Sequence, residues 1–324
     1  MSESKMLNEH HSAVYDFFAA MFKTKKVAAV GLSILVLFVL MAIFADVIAP
    51  QKMIDGVLKS NLLMVSKPPS AAHWLGTDAT GVDLLSYIIY GARTSVILGF
   101  SCTILSTVIS VIIGVASAVI GGKFDLVVQR IVDSWLCIPG MLVLLILMSI
   151  LGSGMLQMIL VMSIPAGVGG SRIMRSAAFA VKDSGYSNMS RTLGGNNLWR
   201  MWKHVVPNIM PFILMSLANS LGGVIMMEAT LNFLGFGVSI GTPSWGYILT
   251  SQGRTKMFTA PWIGLAPGMA ITIMVFAAAV FGDGVRDILD PRLKGGVGSF
   301  KKRNIKGILD KYARRIESES KTVI

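Results

Sequence analysis

Five stretches of this 324-residue chain contain no Asp, Glu, Lys or Arg: Thr94–Gly122, Ser134–Ser171, Val205–Met227, Ala229–Gly253 and Met257–Gly282. A helix that crosses a bilayer needs about 20 predominantly apolar residues, and each stretch is long enough to hold one. Charged residues make up 14% of the chain and hydrophobic ones 53%, whereas soluble domains carry roughly 25% charged residues. The mean hydropathy is +0.68. This composition excludes a water-soluble fold, a disordered chain and a coiled coil. An outer-membrane barrel would alternate polar and apolar residues, and these runs do not. The fold class is therefore an all-α integral membrane protein. Cys102 and Cys137 both sit inside apolar runs, which argues against a disulfide framework and a thiolate metal site. His10, His11, His73 and His204 show no HExxH spacing, and no metal site is expected.

Six spans are predicted, at about Val27–Ile48, Ser95–Ile120, Ile131–Leu151, Met155–Gly170, Ile209–Phe236 and Trp262–Phe281. The first follows Lys23, Lys25 and Lys26 and lacks a small-x-small cleavage pattern. It reads as a retained helix and not a removed signal peptide. The fourth is short and broken by Pro165, and Gly152-Ser153-Gly154 turns the chain between the third and fourth.

With the N-terminus inside, segments 1–26, 121–130, 172–208 and 285–324 are cytoplasmic and hold 23 of the 29 lysines and arginines. Lys52, Lys59, Lys67, Arg93, Arg254 and Lys256 fall outside. The positive-inside rule then places both termini in the cytoplasm. The same bias accounts for the net charge of +12 without a nucleic-acid partner. The outer segments Ala49–Ala92 and Gly237–Pro261 are long and rich in Gly, Pro and aromatic residues. Loops of this length are usually functional or disordered, and the Trp and Pro content predicts order.

The long cytoplasmic segment 172–208 is the most informative. A short helix is expected to close at Gly194-Gly195, where glycine accepts the left-handed C-cap conformation. A second helical stretch over 196–206 follows, with Leu198, Trp202, Val205 and Val206 on one face. Pro207 and Pro211 then start the fifth span. Such a unit under the membrane serves either as a lever for a cytoplasmic partner or as an interfacial connector with snorkelling bases. The pattern alone leaves both open.

In this segment Tyr186-Ser187-Asn188-Met189-Ser190-Arg191-Thr192-Leu193-Gly194-Gly195 and His204-Val205-Val206-Pro207-Asn208 resemble the cytoplasmic Glu-Ala-Ala loop of type I ABC importer membrane subunits. The chain is most similar to the dipeptide/oligopeptide permease group and its C-type subunit. Further matches run in order. They include Leu75-Gly76-Thr77-Asp78, Gly81-Val82-Asp83, Tyr90-Gly91-Ala92-Arg93, Val132-Asp133 and Ile138-Pro139. They continue through Glu228-Ala229, Asn232-Phe233-Leu234-Gly235, Pro243-Ser244-Trp245-Gly246, Ala260-Pro261-Trp262, Pro267-Gly268 and Gly282–Leu293. Asn188-Met189-Ser190 stands where the family has its Glu-Ala-Ala triplet, so the glutamate of that triplet is replaced here.

The resemblance implies a type I ABC importer permease core of five helices over 93–290. It is preceded by a cytoplasmic N-terminus at 1–26 and a first span with its outer loop at 27–92, and followed by a basic tail at 291–324. It implies one half of a passage in a bacterial or archaeal inner membrane, paired with a homologous B-type permease subunit. Two ATPase subunits would bind ATP and Mg²⁺, and an extracytoplasmic binding protein would deliver cargo. The ATPase-coupling residues would be Tyr186, Ser187, Asn188, Met189, Ser190, Arg191, Leu193, Gly194 and Gly195. Glu228, Asn232 and Trp245 would belong to the substrate path or its gate. Short peptides are the first expectation for cargo, with nickel, glutathione or oligosaccharide as alternatives. The chain has no GxxxxGK[ST] loop to cradle ATP phosphates, so it is expected to be a non-catalytic subunit without a bound cofactor.

Glu228, inside the fifth predicted span, raises a second possibility. An ionisable group in a membrane span is costly and is a functional hypothesis by default, and a gradient-driven transporter would use it as a proton or cation site. One or two acids without a basic partner in the membrane make a poor relay, so a buried hydrogen-bonding role is preferred. Asp133, close to Arg130, reads as interfacial. Asp78 and Asp83 lack the alternate carboxylates and distal Glu of a Ca²⁺ loop and read as turn formers. Both ends are amphipathic: Val14, Phe17, Phe18, Met21 and Phe22 share one face, and Ile305, Ile308, Leu309, Tyr312 and Ile316 another. Both are expected to lie on the inner membrane surface.

Overall fold

The computed structural model describes residues 17–19, 21–54, 57–184, 189–190, 194–238 and 241–289. Seven helices form its frame: α1 (Lys26–Ile43), α2 (Leu84–Ile120), α3 (Gly122–Leu136), α4 (Gly140–Leu151), α5 (Met155–Lys182), α6 (Met210–Phe233) and α7 (Trp262–Leu289). Among the described residues, α1, α2, α5, α6 and α7 are each long and apolar enough to cross a membrane. The pair α3 and α4 makes a sixth candidate, bent by 84° at its break. The predicted tail helix around 305–316 and Val14 of the N-terminal face lie outside the described residues.

Local chemistry explains most boundaries. The α2 helix starts at Asp83, whose carboxylate accepts the Ser86 N–H at 2.8 Å, the side-chain cap of a helix N-terminus. The third span, predicted as one helix over Ile131–Leu151, is an elbow instead. Pro139 has no N–H to continue α3 and disfavours helical backbone at Ile138, and the chain turns there before α4. The fourth span is not broken at Pro165. Helix α5 runs through it to Lys182, and α7 likewise extends eight residues past the predicted end at Phe281. A proline inside a membrane helix is tolerated where neighbouring helices support it, and α5 has such support along its whole length.

That support comes from α2. A Cβ added at Gly114 would lie 2.4 Å from the Ser171 carbonyl oxygen and 2.7 Å from the Arg175 nitrogen. A Cβ at Gly167 would lie 2.6 Å from Ile109 Cβ. The Ser110 hydroxyl donates to the Gly167 carbonyl at 2.8 Å. Lipid is as apolar as leucine, so helices in a membrane associate through close packing of small residues and interhelical hydrogen bonds. On the other side of the bundle, α6 packs on α7, and α1 packs on α7 and α2. Leu35, Phe38, Ile88, Ile225, Ile263 and Met274 fill that core. Lys25 and Asp287 tie the start of α1 to the end of α7 at 2.6 Å.

The two predicted outer segments are ordered and meet. The short strands Met53–Ile54 and Val57–Leu58 pair antiparallel, Met53 with Leu58. Asp78 accepts from the Thr80 and Val82 N–H groups at 2.7 and 2.9 Å and from Gln252 Nε2 at 3.0 Å. Trp262 Nε1 donates to the Thr77 carbonyl at 3.2 Å. Both Asp78 and Asp83 therefore shape turns and caps. The second segment, read as an irregular loop, is largely helical over Trp245–Ile248, Leu249–Gly253 and Arg254–Lys256.

The α2–α5 contact gives a direct test. Gly114→Leu forces backbone apart, and is expected to exceed the roughly 1–3 kcal/mol of ordinary overpacking. Gly268, where an added Cβ meets nothing within 4 Å, provides the control. In detergent, Gly114→Leu should lose most of the monodisperse species by size exclusion and lower the thermal midpoint, and Gly268→Leu should change neither.

Candidate functional site

Two places gather the residues that sequence singled out. The first is a buried knot at the end of the bundle where α2 begins. Glu228 on α6 is 1% exposed. Its carboxylate accepts from Ser95 Oγ of α2 at 3.1 Å, from Asn232 Nδ2 one turn along α6 at 2.6 Å, and from Ser244 Oγ at 3.4 Å. Asn232 is buried too and accepts the Val238 N–H at 3.0 Å. Trp245 donates from Nε1 to the Ile88 carbonyl at 2.9 Å, and its ring meets Phe38 edge-on at 5.6 Å. The Thr94 hydroxyl donates to the Pro243 carbonyl at 2.8 Å. Glu228, Asn232 and Trp245 thus come together and lock α2, α6 and the segment 243–248 to one another. The hydrogen-bond partners found for Glu228 are neutral hydroxyl and amide groups. Such an arrangement satisfies a buried acid and offers no second titratable group to receive a proton.

The second place is the opposite end, between α5 and α6. Of the expected coupling residues, Tyr186, Ser187, Asn188, Arg191 and Leu193 lie outside the described residues. Met189 and Ser190 are helical, and Met189 is exposed. Gly194 has φ +84°, and the Gly195 N–H donates to the Ser190 carbonyl at 2.9 Å. That six-to-one bond is the mark of a Schellman C-cap. The Asn196 side chain then accepts the Trp199 N–H at 2.7 Å and caps the next helical turn, Asn197–Arg200.

The predicted face Leu198–Trp202–Val205–Val206 does not form as expected. Met201–Val205 is a π turn, which accommodates an extra residue and shifts the side-chain phase. Met201, Val205 and Val206 are buried, while Leu198, Trp199 and Trp202 are 65%, 53% and 51% exposed. Leu198, Trp199, Trp202 and Lys203 surround an open groove beside Gly194-Gly195-Asn196. Arg200, which sequence reading passed over, is buried and reaches the Lys182 carbonyl at 3.3 Å. It thereby joins this turn to the end of α5.

The same end carries a charged frame that the sequence did not announce. Arg175 of α5 grips Asp125 of α3 with two bonds of 2.6 and 2.5 Å, and Ser117 of α2 adds a third at 2.5 Å. Asp133, predicted to be interfacial beside Arg130, also pairs with Arg172 of α5. Among the described residues no group of three or more His, Cys, Asp or Glu is placed to hold a metal ion.

The profile of the family described as "binding-protein-dependent transport system inner membrane component" matches residues 106–295, more than half of the chain. The chain belongs to that family. A second profile, the N-terminal TM domain of oligopeptide transport permease C, matches residues 17–69 of this permease. The oligopeptide transport system permease protein OppC of Bacillus subtilis is 37% identical over 273 residues, covering 84% of this chain and 88% of that protein. The dipeptide transport system permease protein DppC of the same organism is 32% identical, covering 84% of each. The glutathione transport system permease protein GsiD of Pectobacterium atrosepticum is 30% identical, covering 86% and 91%. The permease is a multi-pass membrane protein with the type I ABC permease fold.

Substitutions at Glu228 separate a structural tie from proton coupling. In Glu228→Gln the amide oxygen can still accept from Asn232 and Ser244, and the Ser95 hydroxyl can turn to accept from its N–H₂. Expression, thermal midpoint and transport should be retained. Glu228→Leu strands three buried donors at about 1–3 kcal/mol each and should destabilise the permease in detergent melts. Loss of transport in a stable Glu228→Gln would mark a proton site.

Proposed function

We propose that this permease forms half of the membrane passage of an ATP-driven importer for short peptides, with the turn at Ser190–Lys203 as its foothold on an ATPase subunit. The carrying observation is the shape of that turn. It opens on the cap at Gly194-Gly195, exposes Leu198, Trp199 and Trp202, and is joined to the end of α5 through Arg200. Large exposed apolar residues grouped around a groove mark contact surfaces. Through this link to α5 a push on the turn would reach the bundle. Met189, Ser190, Gly194 and Gly195 belong to this foothold, together with Tyr186, Ser187, Asn188, Arg191 and Leu193.

Peptide is the cargo favoured by the names of the oligopeptide and dipeptide relatives. The chain lacks a phosphate-cradling GxxxxGK[ST] loop, so the permease itself is read as non-catalytic. ATP and Mg²⁺ would be held by two partner ATPase subunits, and a homologous B-type subunit would complete the passage. An extracytoplasmic binding protein would dock where the two outer segments meet through Asp78 and Gln252. The positive-inside bias supports a cytoplasmic turn and cytoplasmic termini. A gradient-driven mechanism finds little support in the neutral surroundings of Glu228.

Gly194→Val tests the foothold. Valine at φ +84° disrupts the cap without meeting a neighbour, since nothing lies within 4 Å of an added Cβ. The left-handed penalty of roughly 1–2 kcal/mol corresponds to about a tenfold loss of ATP-coupled peptide uptake, with membrane insertion intact. Asn188→Ala, at the position where the family's acid is absent, should leave coupled ATP hydrolysis near the unmodified level. Normal coupled uptake by Gly194→Val would remove the proposed foothold.

A further inference from the structure

Helix α5 packs along α2, and α6 along α7, but α5 and α6 scarcely touch each other. Between them, against the elbow of α3 and α4, lies a half-open cleft of about 520 Å³. That volume falls within the roughly 300–1,000 Å³ of ordinary small-ligand sites. The cleft takes one stripe of each helix. On α6 the stripe is Ser220, Gly223, Val224 and Met227, and on α5 it includes Met162, Pro165 and Gly169. Both follow the three-and-four spacing of a single helical face. A second stripe of α6, about a third of a turn round the helix, holds Leu221, Ile225, Glu228 and Asn232 and is buried. Glu228, next to Met227 in sequence, is therefore turned into the bundle and away from the cleft.

The chemistry of the lining is distinctive. It contains no charged residue, although the frame just beyond it on α3 and α5 is held by ion pairs. Its one side-chain hydroxyl, Ser220 Oγ, donates to the Leu217 carbonyl at 3.2 Å. Met141, Met162 and Met227 supply flexible, polarizable surface that re-packs around different shapes. The glycines leave room close to the backbone. A wall that passes peptides of many sequences needs these two properties: no fixed charge to trap or repel an ionised side chain, and an adaptable apolar surface.

We infer that this cleft is the permease's wall of the peptide passage, and that it discriminates by girth and not by charge. The inference rests on the proposed peptide-importer function. Gly223 sets the width, because an added Cβ there meets nothing within 4 Å and any larger side chain projects into the cleft.

The test uses the whole assembly, purified through a tag on this chain and reconstituted in vesicles with its binding protein and ATP. The probes are tri-alanine, tri-phenylalanine, tri-lysine and tri-glutamate. Each variant is compared with the unmodified protein for the same peptide, which cancels the binding protein's own preference. Gly223→Leu is expected to cut tri-phenylalanine uptake about 10-fold or more, by analogy with added bulk in a packed pocket, and to cut tri-alanine uptake less. Binding-protein-stimulated ATP hydrolysis should persist. Gly223→Asp should lower uptake of tri-glutamate more than that of tri-lysine, each relative to the unmodified protein.

A second measurement covers the case in which these variants fail to assemble. In a Cys102→Ser, Cys137→Ser background, Gly223→Cys should react with a water-soluble maleimide at rates that differ between the nucleotide-free and vanadate-trapped states. A thiol unreactive in both states means that lipid or protein fills the cleft and overturns the assignment. Peptide uptake by Gly223→Leu equal to the unmodified level also overturns it. If the unmodified assembly takes up none of the four peptides, the peptide function itself fails, and the reading of the cleft falls with it.

Discussion

The close approach of α2 and α5 is the contact on which the rest of the permease depends. Water drives apolar surfaces together in a soluble protein, but inside a bilayer that drive is absent and association needs intimate packing. Gly114, Gly167 and the Ser110–Gly167 hydrogen bond provide it. The consequence reaches both ends of the molecule. With 37 residues, α2 is about 55 Å long at 1.5 Å per residue, well beyond the roughly 30 Å hydrocarbon core. Its ends therefore reach past that core: Ser117 near one end meets Asp125, and Ser95, about three turns inside the other, meets the buried Glu228.

Those two ends are built differently. At the Glu228 end, neutral donors from three elements surround one acid, and the result is a tie between helices. At the other end, full ion pairs hold the α3 helix against α5. The described burial explains why charge is used there: Val132 is the one buried residue of α3, and Leu126, Val127 and Ile131 are exposed. With so little packing, position depends on Arg175 gripping Asp125 in the two-pronged geometry that arginine favours and on Arg172 reaching Asp133. Helix α5 is thus fixed along α2, carries the elbow on its charged side, and continues to Lys182, where Arg200 attaches the exposed turn. Arg200 thus links that turn to the helix that carries the elbow.

Much of this was legible in the residue order, for a physical reason. Spans are read from runs without charge, and bilayer thickness makes that signal strong; all six predicted spans find helices. The cap at Gly194-Gly195 was legible because glycine at a helix end has a local cause. What escaped the sequence was set by distant partners. Pro165 looks like a break until α2 is seen supporting α5, and the elbow at Pro139 looks like a continuous span because the run around it is apolar on both sides. The π turn at Met201–Val205 parted Trp202 from the face expected to hold it with Val205 and Val206, and no local pattern marks such a turn. Arg172 and Arg175 read as loop bases and became the anchors of α3. Glu228, Asn232 and Trp245 were picked out together by family resemblance, but their mutual hydrogen bonds depend on a fold that brings residue 95 to residue 228.

The contrast between the charged frame and the uncharged cleft follows from one cost. A fixed charge in low dielectric must be paired or it is expensive. Placed in a passage, it would be paired only when a complementary side chain arrived, so it would bind some cargo tightly and oppose the rest. Moving the charges behind the wall, into pairs that are already complete, leaves the lining neutral and still holds the helices that form it. Asp125, Asp133, Arg172 and Arg175 meet that requirement on one side of the cleft. On the other side Glu228 meets it with Ser95, Asn232 and Ser244, one residue along the chain from Met227 but turned about 100° round the helix into the bundle.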